Sequence, residues 1–239
     1  MQIHIIGQGR LGRSLAYILE QQSIPHTTYG RTFPSKMNGL VYICVSESAI
    51  SEVTKQLTYH PDVCAVHASG SIGLDAFPAP EAHIACLHPI QSFPGPEIHI
   101  PDIIPATLEC GEHISETMRS HILALANQLG FTVYPFIGNR LSYHTAAVLS
   151  GNFTTILFSL AKEVLQREGY SDDMAANLLY ALAHQSLSNA KHGLLNQVLT
   201  GPITRGQSSL MDTQREHLSW DTDLSDLYGQ FVKIANKRL

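Results

Sequence analysis

The chain has 239 residues, enough for one large domain or two modest ones, and its 44% apolar content is that of a globular protein. It carries 15 basic and 20 acidic residues, for a net charge of −5 without a cluster of either sign, which argues against nucleic acid or an anionic membrane as a partner. We therefore expect a small-molecule partner. The charged fraction of 15% is low for a monomer, so we also expect a second copy to cover part of the surface.

Cysteines and histidines exclude other kinds of site. The four cysteines are well separated and form no CxxC pair, which is typical of buried free thiols in a reducing compartment. Thirteen histidines occur without HExxH or a comparable ligand spacing, so no metal site is expected. The first predicted strand begins near residue 2, so we expect no signal peptide and a cytoplasmic protein. The apolar stretch 145–164 is interrupted by polar residues, and we expect a buried helix there instead of a membrane span.

The first thirty residues predict a strand, a glycine turn, a helix and a second strand. A short apolar run ends in a GxGxxG turn, which consists of Gly7, Gln8, Gly9, Arg10, Leu11 and Gly12. In such turns the first glycine permits the tight bend, the second lets a pyrophosphate approach the backbone, and the third allows close packing of helix on strand. Leu15, Ile18 and Leu19 then continue at helical spacing. The turn is expected to bind a dinucleotide phosphate at the helix N-terminus; the alternative is an ordinary tight loop.

The residues after the second strand indicate which dinucleotide binds. NAD-binding turns place an acidic residue about 20 residues further on, where it holds the ribose 2′-hydroxyl, whereas an arginine there accommodates a 2′-phosphate. This chain has Arg31 and Thr32 at that point, with no acid nearby. A guanidinium grips a phosphate dianion with two hydrogen bonds. NADP is therefore favoured over NAD as the cofactor, the alternative being a solvated loop arginine.

The next predicted strand leads into the cofactor crevice. The nearly continuous apolar run 39–45 is typical of a parallel strand covered on both faces, and it ends at a sequence suited to helix capping. Ligands bind outside the carboxyl ends of such strands. Val45 and Ser46 are therefore expected to line the cofactor.

Two further predicted strands end in a histidine and small polar residues. The strand 62–67 runs into HASGS, and the strand 83–87 runs into HPIQSF. Side chains at strand ends are held by the sheet and face the ligand crevice. His67, Ser69 and His88 are therefore candidate site residues, with Ser69 expected at the cofactor and His88 in catalysis. The alternative is that a strand-end histidine only satisfies loop backbone groups.

The periodicity changes once along the chain. Strand signals end at about residue 136, and helices are predicted over 141–167, from an N-cap at Ser171 to about residue 191, and over 223–237. We therefore predict an α/β fold: a Rossmann-type, mostly parallel sheet in a dinucleotide-binding domain, followed by an all-helical C-terminal domain. The two domains are predicted to span residues 1–136 and 137–239.

The helical domain contributes the remaining catalytic candidates. Hydride transfer needs a proton donor or acceptor for the substrate heteroatom. On the first long helix His144 is the candidate for that role, and Asn152 would orient it or bind a substrate oxygen. Arg205 lies in the loop GPITRGQ, where it would contact a substrate carboxylate or phosphate. The alternatives are a polar residue on a domain-facing helix for His144, a helix irregularity at Asn152 and a plain interhelical loop around Arg205.

The order of these motifs resembles a known family. GQGRLG, GRT, CVSE, HASG, LHPIQSF, YHTAAVLSGN and GPITRGQ resemble predicted NADP oxidoreductases in which a Rossmann-like module precedes a helical domain of unknown function. More distantly, the chain is similar to the superfamily of 6-phosphogluconate dehydrogenase, ketopantoate reductase, pyrroline-carboxylate reductase and the deazaflavin-dependent NADP reductases. The resemblance implies NADP binding, reductase chemistry and a homodimer formed through the helical domain, and it implies no particular substrate. It places Arg31 and Thr32 where relatives carry an Asn-Arg-Thr element for the 2′-phosphate.

One departure from the superfamily concerns catalysis. Its hydroxyacid branch carries a catalytic lysine followed by an asparagine on the first long helix, whereas here His144 precedes Asn152 and Lys162 lies too far along. If the protein is an enzyme, His144 or His88 must replace that lysine, or the substrate must need no such acid.

Three functions are compatible with the sequence. The first is an NADP-dependent oxidoreductase acting on a small carbonyl, imine or acid between the two domains, and the phosphate turn and the polar candidates favour it. The second is a dehydrogenase of the prephenate and arogenate type, whose strand-end elements resemble HASGS and LHPI. The third is an NADP-binding sensor or assembly protein that has lost catalysis, for which the missing lysine is the main support.

Overall fold

The computed structural model describes residues 1–96, 101 and 103–239, and it forms two compact units, Met1–Gly151 and Asn152–Leu239. The first unit holds a seven-stranded sheet, and the second consists of helices and turns. This confirms the predicted α/β fold with a helical C-terminal part. The sheet ends at Pro135, close to the predicted domain boundary, but the first unit also takes in the helix that follows the sheet.

The sheet is mostly parallel. Its strands are β1 (Ile3–Ile6), β2 (Thr27–Tyr29), β3 (Gly39–Ile43), β4 (Val63–His67), β5 (His83–Pro89), β6 (Ile104–Cys110) and β7 (Phe131–Pro135). They are arranged in the order β2-β1-β3-β4-β5-β6-β7, and only β5 and β6 pair antiparallel. The register brings Ile6 opposite Ile43, and Ile43 opposite His67. The carboxyl ends of β1, β3 and β4 therefore meet at one edge, where ligands bind in such sheets.

Both faces of the sheet are covered, as the apolar strands predict. Along β3, Leu40 and Tyr42 pack into one core cluster, whereas Val41 and Ile43 pack into the other, because successive side chains of a strand point to opposite faces. Helix α1 (Arg10–Gln21) and helix α3 (Glu116–Gln128) cover the first face. Helix α2 (Glu47–Gln56) and a single 3₁₀ turn cover the second. All four cysteines are free thiols in or beside these strands.

The later helices follow their predicted signals closely. They are α4 (Arg140–Val148), α5 (Thr154–Arg167), α6 (Asp172–His192), α7 (Leu195–Val198), α8 (Ser208–His217) and α9 (Thr222–Arg238). Ser171 caps α6 as predicted, because its hydroxyl accepts a hydrogen bond from the backbone N–H of Met174 at 3.3 Å. Within the described residues, no helix is both long and apolar enough to span a bilayer.

The helix predicted over 141–167 is interrupted. Helix α4 and helix α5 are joined by a π-helical turn, Leu149–Phe153, which contains Gly151 and Asn152. The prediction that residues 145–164 form a buried helix is wrong for this chain by itself, since no residue of α4, the π turn or α5 is buried. An apolar helical pattern shows that a face will be covered, but it does not show whether the cover belongs to the same chain.

Candidate functional site

Two of the three turn glycines are required by the protein itself. Gly7 has φ of +118°, and a Cβ there would lie 2.3 Å from the carbonyl oxygen of Cys44. A Cβ on Gly12 would lie 1.9 Å from the carbonyl oxygen of Gly7. Both contacts are far inside van der Waals distance with backbone atoms, so neither position tolerates a side chain. The tight bend and the close helix packing predicted for these glycines are therefore present.

The middle glycine is different. Apart from the neighbouring residues of the chain, no atom of the described residues lies within 4 Å of the position that a Cβ on Gly9 would take. Gly9 is the N-cap of α1 and supplies no side-chain cap, so the first N–H groups of that helix remain available to a ligand. The space next to Gly9 fits a phosphate group, which approaches the backbone only where a side chain is missing.

A cavity of about 600 Å³ extends from this turn, a volume in the usual range for ligand pockets. It gathers most of the predicted cofactor residues: Gly7, Gln8, Gly9, Arg31, Val45 and Ser46 all line it. Glu52, an exposed residue of α2, lines it as well. The other predicted cofactor residues do not line this cavity; they are Arg10, Leu11 and Gly12 in the first turn of α1, the exposed Thr32, and Ser69 at the end of β4.

A second group of polar residues lies at the carboxyl ends of β3, β4 and β5. We call it the Gly70 cluster; its members are Glu47, His67, Ser69, Gly70, Ser71, His88, Tyr143 and His144. All of them belong to the first unit. The cluster contains four candidate site residues from the sequence, His67, Ser69, His88 and His144.

Gly70 is the point where the two predicted catalytic histidines meet. A Cβ on Gly70 would lie 2.8 Å from Cε1 of His88 and 3.0 Å from Cδ2 of His144. The two rings therefore pack against the backbone of this glycine, and a side chain there would push both away. The structure thus brings His88 and His144 together, although they are 56 positions apart in the sequence.

Glu47 is the carboxylate of the cluster. Its Oε1 atom accepts hydrogen bonds from the hydroxyls of Ser69 at 2.7 Å and Ser71 at 2.6 Å. Partial burial alone would raise the pKa of Glu47, but the hydrogen bonds from Ser71 and Ser69 and the charge of His144 outweigh it, and the pKa is lowered. The Glu47 side chain is therefore an ionised acceptor at neutral pH.

His67 has a structural role. Its Nδ1 accepts a hydrogen bond from the backbone N–H of Ser69 at 3.2 Å, so Nε2 carries the proton and donates to the carbonyl of Gly73 at 3.1 Å. Burial lowers the pKa of His67 to about 4, and both ring nitrogens are already used. The strand-end histidine satisfies loop backbone groups here, which is the alternative that the sequence left open.

His88 is held by a tyrosine that sequence reasoning missed. Its Nδ1 lies 2.7 Å from the hydroxyl of Tyr143, which in turn lies 3.0 Å from Oγ1 of Thr107. Burial, followed by the charges of His144 and Arg140, lowers the pKa of His88 to about 4. Burial also raises the pKa of the Tyr143 phenol. At neutral pH this network is therefore uncharged.

Arg140 borders the cluster but is already paired. Its guanidinium forms an ion pair with Glu109, approaches the carbonyl of Ser69 at 3.5 Å and lies 4.2 Å from the ring centre of Phe136. The Arg140 side chain is only 10% exposed, and its Nε is buried without a partner. Arg140 therefore anchors the Ser69 loop to β6.

Two predicted catalytic residues belong to the second unit. Asn152 is exposed in the π turn, so the predicted helix irregularity is present at this residue. Arg205 is exposed, and its Nε donates a hydrogen bond to the carbonyl of Gly201 at 3.2 Å. Their roles at a substrate stay predictions. In the parts of the chain that the structure describes, no group of three or more His, Cys, Asp or Glu residues is arranged to hold a metal ion.

Three residues of the cluster, Glu47, Tyr143 and Gly70, were not predicted from the sequence, although each of them adjoins a predicted residue. Glu47 follows Ser46 directly, so the strand-end argument stopped one residue short of it. Tyr143 precedes His144 in YHTAAV, where only the histidine was weighed. Gly70 stood inside HASGS without a reason to be singled out, because its role depends on two rings brought from β5 and α4.

Comparison with known proteins completes the description of the site. The sequence profile of the domain of unknown function DUF2520 matches residues 108–234. No curated protein matches the sequence significantly.

Solved structures with the same fold cover nearly the whole chain. A "putative NADP oxidoreductase" of Bacteroides fragilis is 21% identical with a TM-score of 0.81, over 99% of this chain and 98% of that one. Protein TM1727 of Thermotoga maritima is 23% identical with a TM-score of 0.69, over 98% and 97% of the two chains. A reductive aminase of Aspergillus terreus, in complex with NADPH4, cyclohexanone and allyl amine, is 14% identical with a TM-score of 0.71, over 99% and 93%. At these identities the likeness concerns the fold.

Proposed function

The chain belongs to the DUF2520 family, and we propose that it is an NADP-dependent oxidoreductase that transfers a hydride between the nicotinamide and a small carbonyl, imine or acid substrate. One observation carries the proposal: the cradle beside Gly9 opens into the same cavity as Arg31. This arrangement suits a ligand with a pyrophosphate at one point and a further phosphate at another, which distinguishes NADP from NAD.

Proteins of similar fold support the same cofactor. The Bacteroides fragilis protein bears the description "putative NADP oxidoreductase". The Aspergillus terreus enzyme is a reductive aminase in complex with NADPH4. We extend the cofactor class from those proteins to this chain because the turn and the cavity described above suit it.

The residues of this chain have distinct roles toward NADP. The turn from Gly7 to Gly12 would hold the pyrophosphate, and Arg31 with Thr32 would hold the 2′-phosphate. Val45, Ser46 and Ser69 lie at the carboxyl ends of β3 and β4, where they would face the ribose and nicotinamide half. Bound NADPH supplies the hydride.

Within the Gly70 cluster, we assign to His144 the role of proton donor or acceptor for the substrate heteroatom. His88 is uncharged at neutral pH, because its pKa is lowered to about 4, so it is a poor acid there. It instead packs against the Gly70 backbone beside His144.

Pairing of Arg140 argues against the prephenate and arogenate alternative. A dicarboxylate needs a free basic grip, and Glu109 already neutralises the Arg140 guanidinium.

The cofactor assignment is tested by fluorescence titration with NADPH and NADH. We expect the wild type to prefer NADPH, and Arg31→Ala to bind NADPH about 30-fold more weakly, because about 2 kcal/mol of charge-assisted hydrogen bonding is lost. NADH binding should not change in this variant. Arg119→Ala, which removes an exposed arginine of α3, serves as the matched control. Equal affinity of the wild type for both nucleotides would exclude the 2′-phosphate role, and failure to bind either would exclude the oxidoreductase.

We also propose that the protein is a homodimer formed through the helical unit. An apolar groove of about 620 Å³ lies among α5, α6, α8 and α9, and Leu157 and Phe231 line it. Exposed large apolar residues continue along α5, α6 and α9 and into the π turn; they include Phe153, Ile156, Met174, Leu178, Leu182, Leu187 and Ile234. Monomers rarely expose so much contiguous apolar surface, and a second copy presents a matching face by symmetry.

A further inference from the structure

Glu47 is the one carboxylate among the residues of the Gly70 cluster, and none of the cluster residues is a lysine or an arginine. The carboxylate of Glu47 is ionised, and the Arg140 guanidinium is neutralised by Glu109. His67 and His88 are uncharged, because burial lowers the pKa of each to about 4. The negative charge of Glu47 therefore has no permanent counter-ion within the cluster.

Glu47 is fixed in place by neutral groups. The hydroxyls of Ser69 and Ser71 both donate to the same oxygen, Oε1. No lysine or arginine in the described parts of the chain forms an ion pair with Glu47. His144 lies close enough for its charge to lower the pKa of Glu47, and it balances that charge only while it is protonated. A positioned carboxylate without a permanent counter-ion attracts a cation.

The same site offers little to an anion. A substrate carboxylate in the cluster would face Glu47 and would find Arg140 engaged by Glu109 and stacked on Phe136. Like charges at close range cost several kcal/mol, about as much as a good ion pair contributes. Among the substrate classes compatible with hydride transfer, the acid is therefore disfavoured and a cationic group is favoured.

Resting on the proposed NADP-dependent function, we propose that the Gly70 cluster selects a protonated carbon–nitrogen double bond, an iminium ion, and that Glu47 is its counter-ion. The iminium carbon accepts a hydride, with its electron pair, from C4 of NADPH. The π electrons of the double bond move to the nitrogen and cancel its positive charge, and the products are an amine and NADP⁺. The nitrogen already carries its proton, which His144 supplies when a neutral imine binds, so the hydride transfer itself needs no lysine of the superfamily's kind.

Binding gives a test that does not depend on turnover. Tetrahydroisoquinoline is a cation at neutral pH, and isochroman is its uncharged oxygen isostere; neither can be reduced by NADPH. Calorimetric titration of the NADPH complex should show the cation bound at least tenfold more tightly than the isostere. Glu47→Gln should abolish this difference while leaving the affinity for NADPH within twofold. Glu81→Gln, at an exposed carboxylate outside the cluster, should keep it.

Turnover gives the second test. With NADPH, cyclic imines such as 1-pyrroline and 3,4-dihydroisoquinoline should be reduced, ring-matched ketones should not, and Glu47→Gln should lower kcat/KM for the imines at least tenfold. Faster reduction of the ketones, equal binding of cation and isostere, or no imine reduction by an NADPH-binding protein would each overturn the proposal. Failure of the wild type to bind NADPH would instead overturn the proposed function on which it rests.

Discussion

The first unit buries many large apolar side chains around its sheet, whereas the second leaves nearly all of its own at least partly exposed. In the first unit Ile6, Leu15, Ile43 and Ile122 are fully buried on the two faces of the sheet. In the second unit, whose residues are all described, the buried apolar residues are Ala175, Met211, Leu218 and Ala235. Two of these four are alanines, so the second unit buries little large apolar surface of its own.

The difference shows that helix formation and core formation depend on different features of the sequence. The helices of the second unit are specified locally, since Ser171 caps α6 and Asp221 caps α9 through hydrogen bonds to backbone N–H groups. Most helix stability in proteins nevertheless comes from tertiary packing of an apolar face. The apolar helix faces of the second unit therefore need a further packing partner, and the proposed second copy would supply it.

The largest expected effect concerns the proposed dimer interface on the second unit. Phe231 is 48% exposed and lines the apolar groove of the second unit. Phe231→Lys would place an unpaired charge in a dimer interface twice, once for each copy, so we expect dimerisation to weaken about a thousandfold, or about 4 kcal/mol. Sedimentation equilibrium measures the dissociation constant.

The matched control lies on the first unit. Leu123 on α3 is exposed to a similar degree, at 40%, but lies outside the groove. Leu123→Lys should leave dimerisation unchanged. If the wild type is monomeric at micromolar concentration, or if both variants behave alike, the two surfaces do not differ in the way proposed.

The next effect tests how tightly the first unit is packed at its turn. Gly12→Ala forces a Cβ against the Gly7 carbonyl, and we expect a loss of about 3 kcal/mol in the free energy of unfolding, the upper end for overpacking, together with loss of NADPH binding. Gly9→Ala meets no protein atom, so stability should hold within about 0.5 kcal/mol while NADPH binding still falls. Urea unfolding and NADPH titration of both variants separate fold from ligand. Unchanged NADPH binding in Gly9→Ala would contradict the proposal that this turn binds the pyrophosphate.

The smallest effect is a pH dependence confined to the first unit. The folded pKa of the buried His67 is lowered to about 4, below the value of about 6.5 in the unfolded chain, so the unfolded state binds the proton first. Stability is full above about pH 6.5 and falls as the pH drops toward 4, with a loss of about 2 kcal/mol between about pH 7 and pH 5 from this residue. Urea unfolding at several pH values should show a smaller loss in His67→Gln. His192→Gln, in the exposed end of α6, should match the wild type, and an equal slope in all three proteins would contradict the assignment.

Sequence reasoning succeeded where the signal was local. The β-branched run before Gly7 identified β1, and the alternation along β3 followed from burial on both faces. The spacing of Leu15 and Leu19 predicted the face of α1 that packs on the sheet. Each of these depends on residues within one or two turns of one another, so a single sequence carries the information.

It was incomplete where function depends on residues from separate elements. The Gly70 cluster joins α2, β4, β5 and α4, and no spacing in the chain shows that His88 and His144 converge on one glycine. Glu47 was missed because its significance comes from Ser69 and Ser71 on another loop. The burial expected for 145–164 was wrong because an apolar helical pattern does not show that another part of the same chain packs on it.

The unequal demands on the three turn glycines have a consequence for how the family can diverge. Gly7 and Gly12 are required by the fold alone, since a side chain at either would collide with backbone atoms. Among the described residues Gly9 meets no such contact, so the proposed nucleotide is the partner that would require a glycine there. A descendant that stopped using the nucleotide would still be selected for the outer two and would accumulate replacements at the middle one. Gly9 is thus the position at which inheritance of the fold and inheritance of the ligand can be told apart.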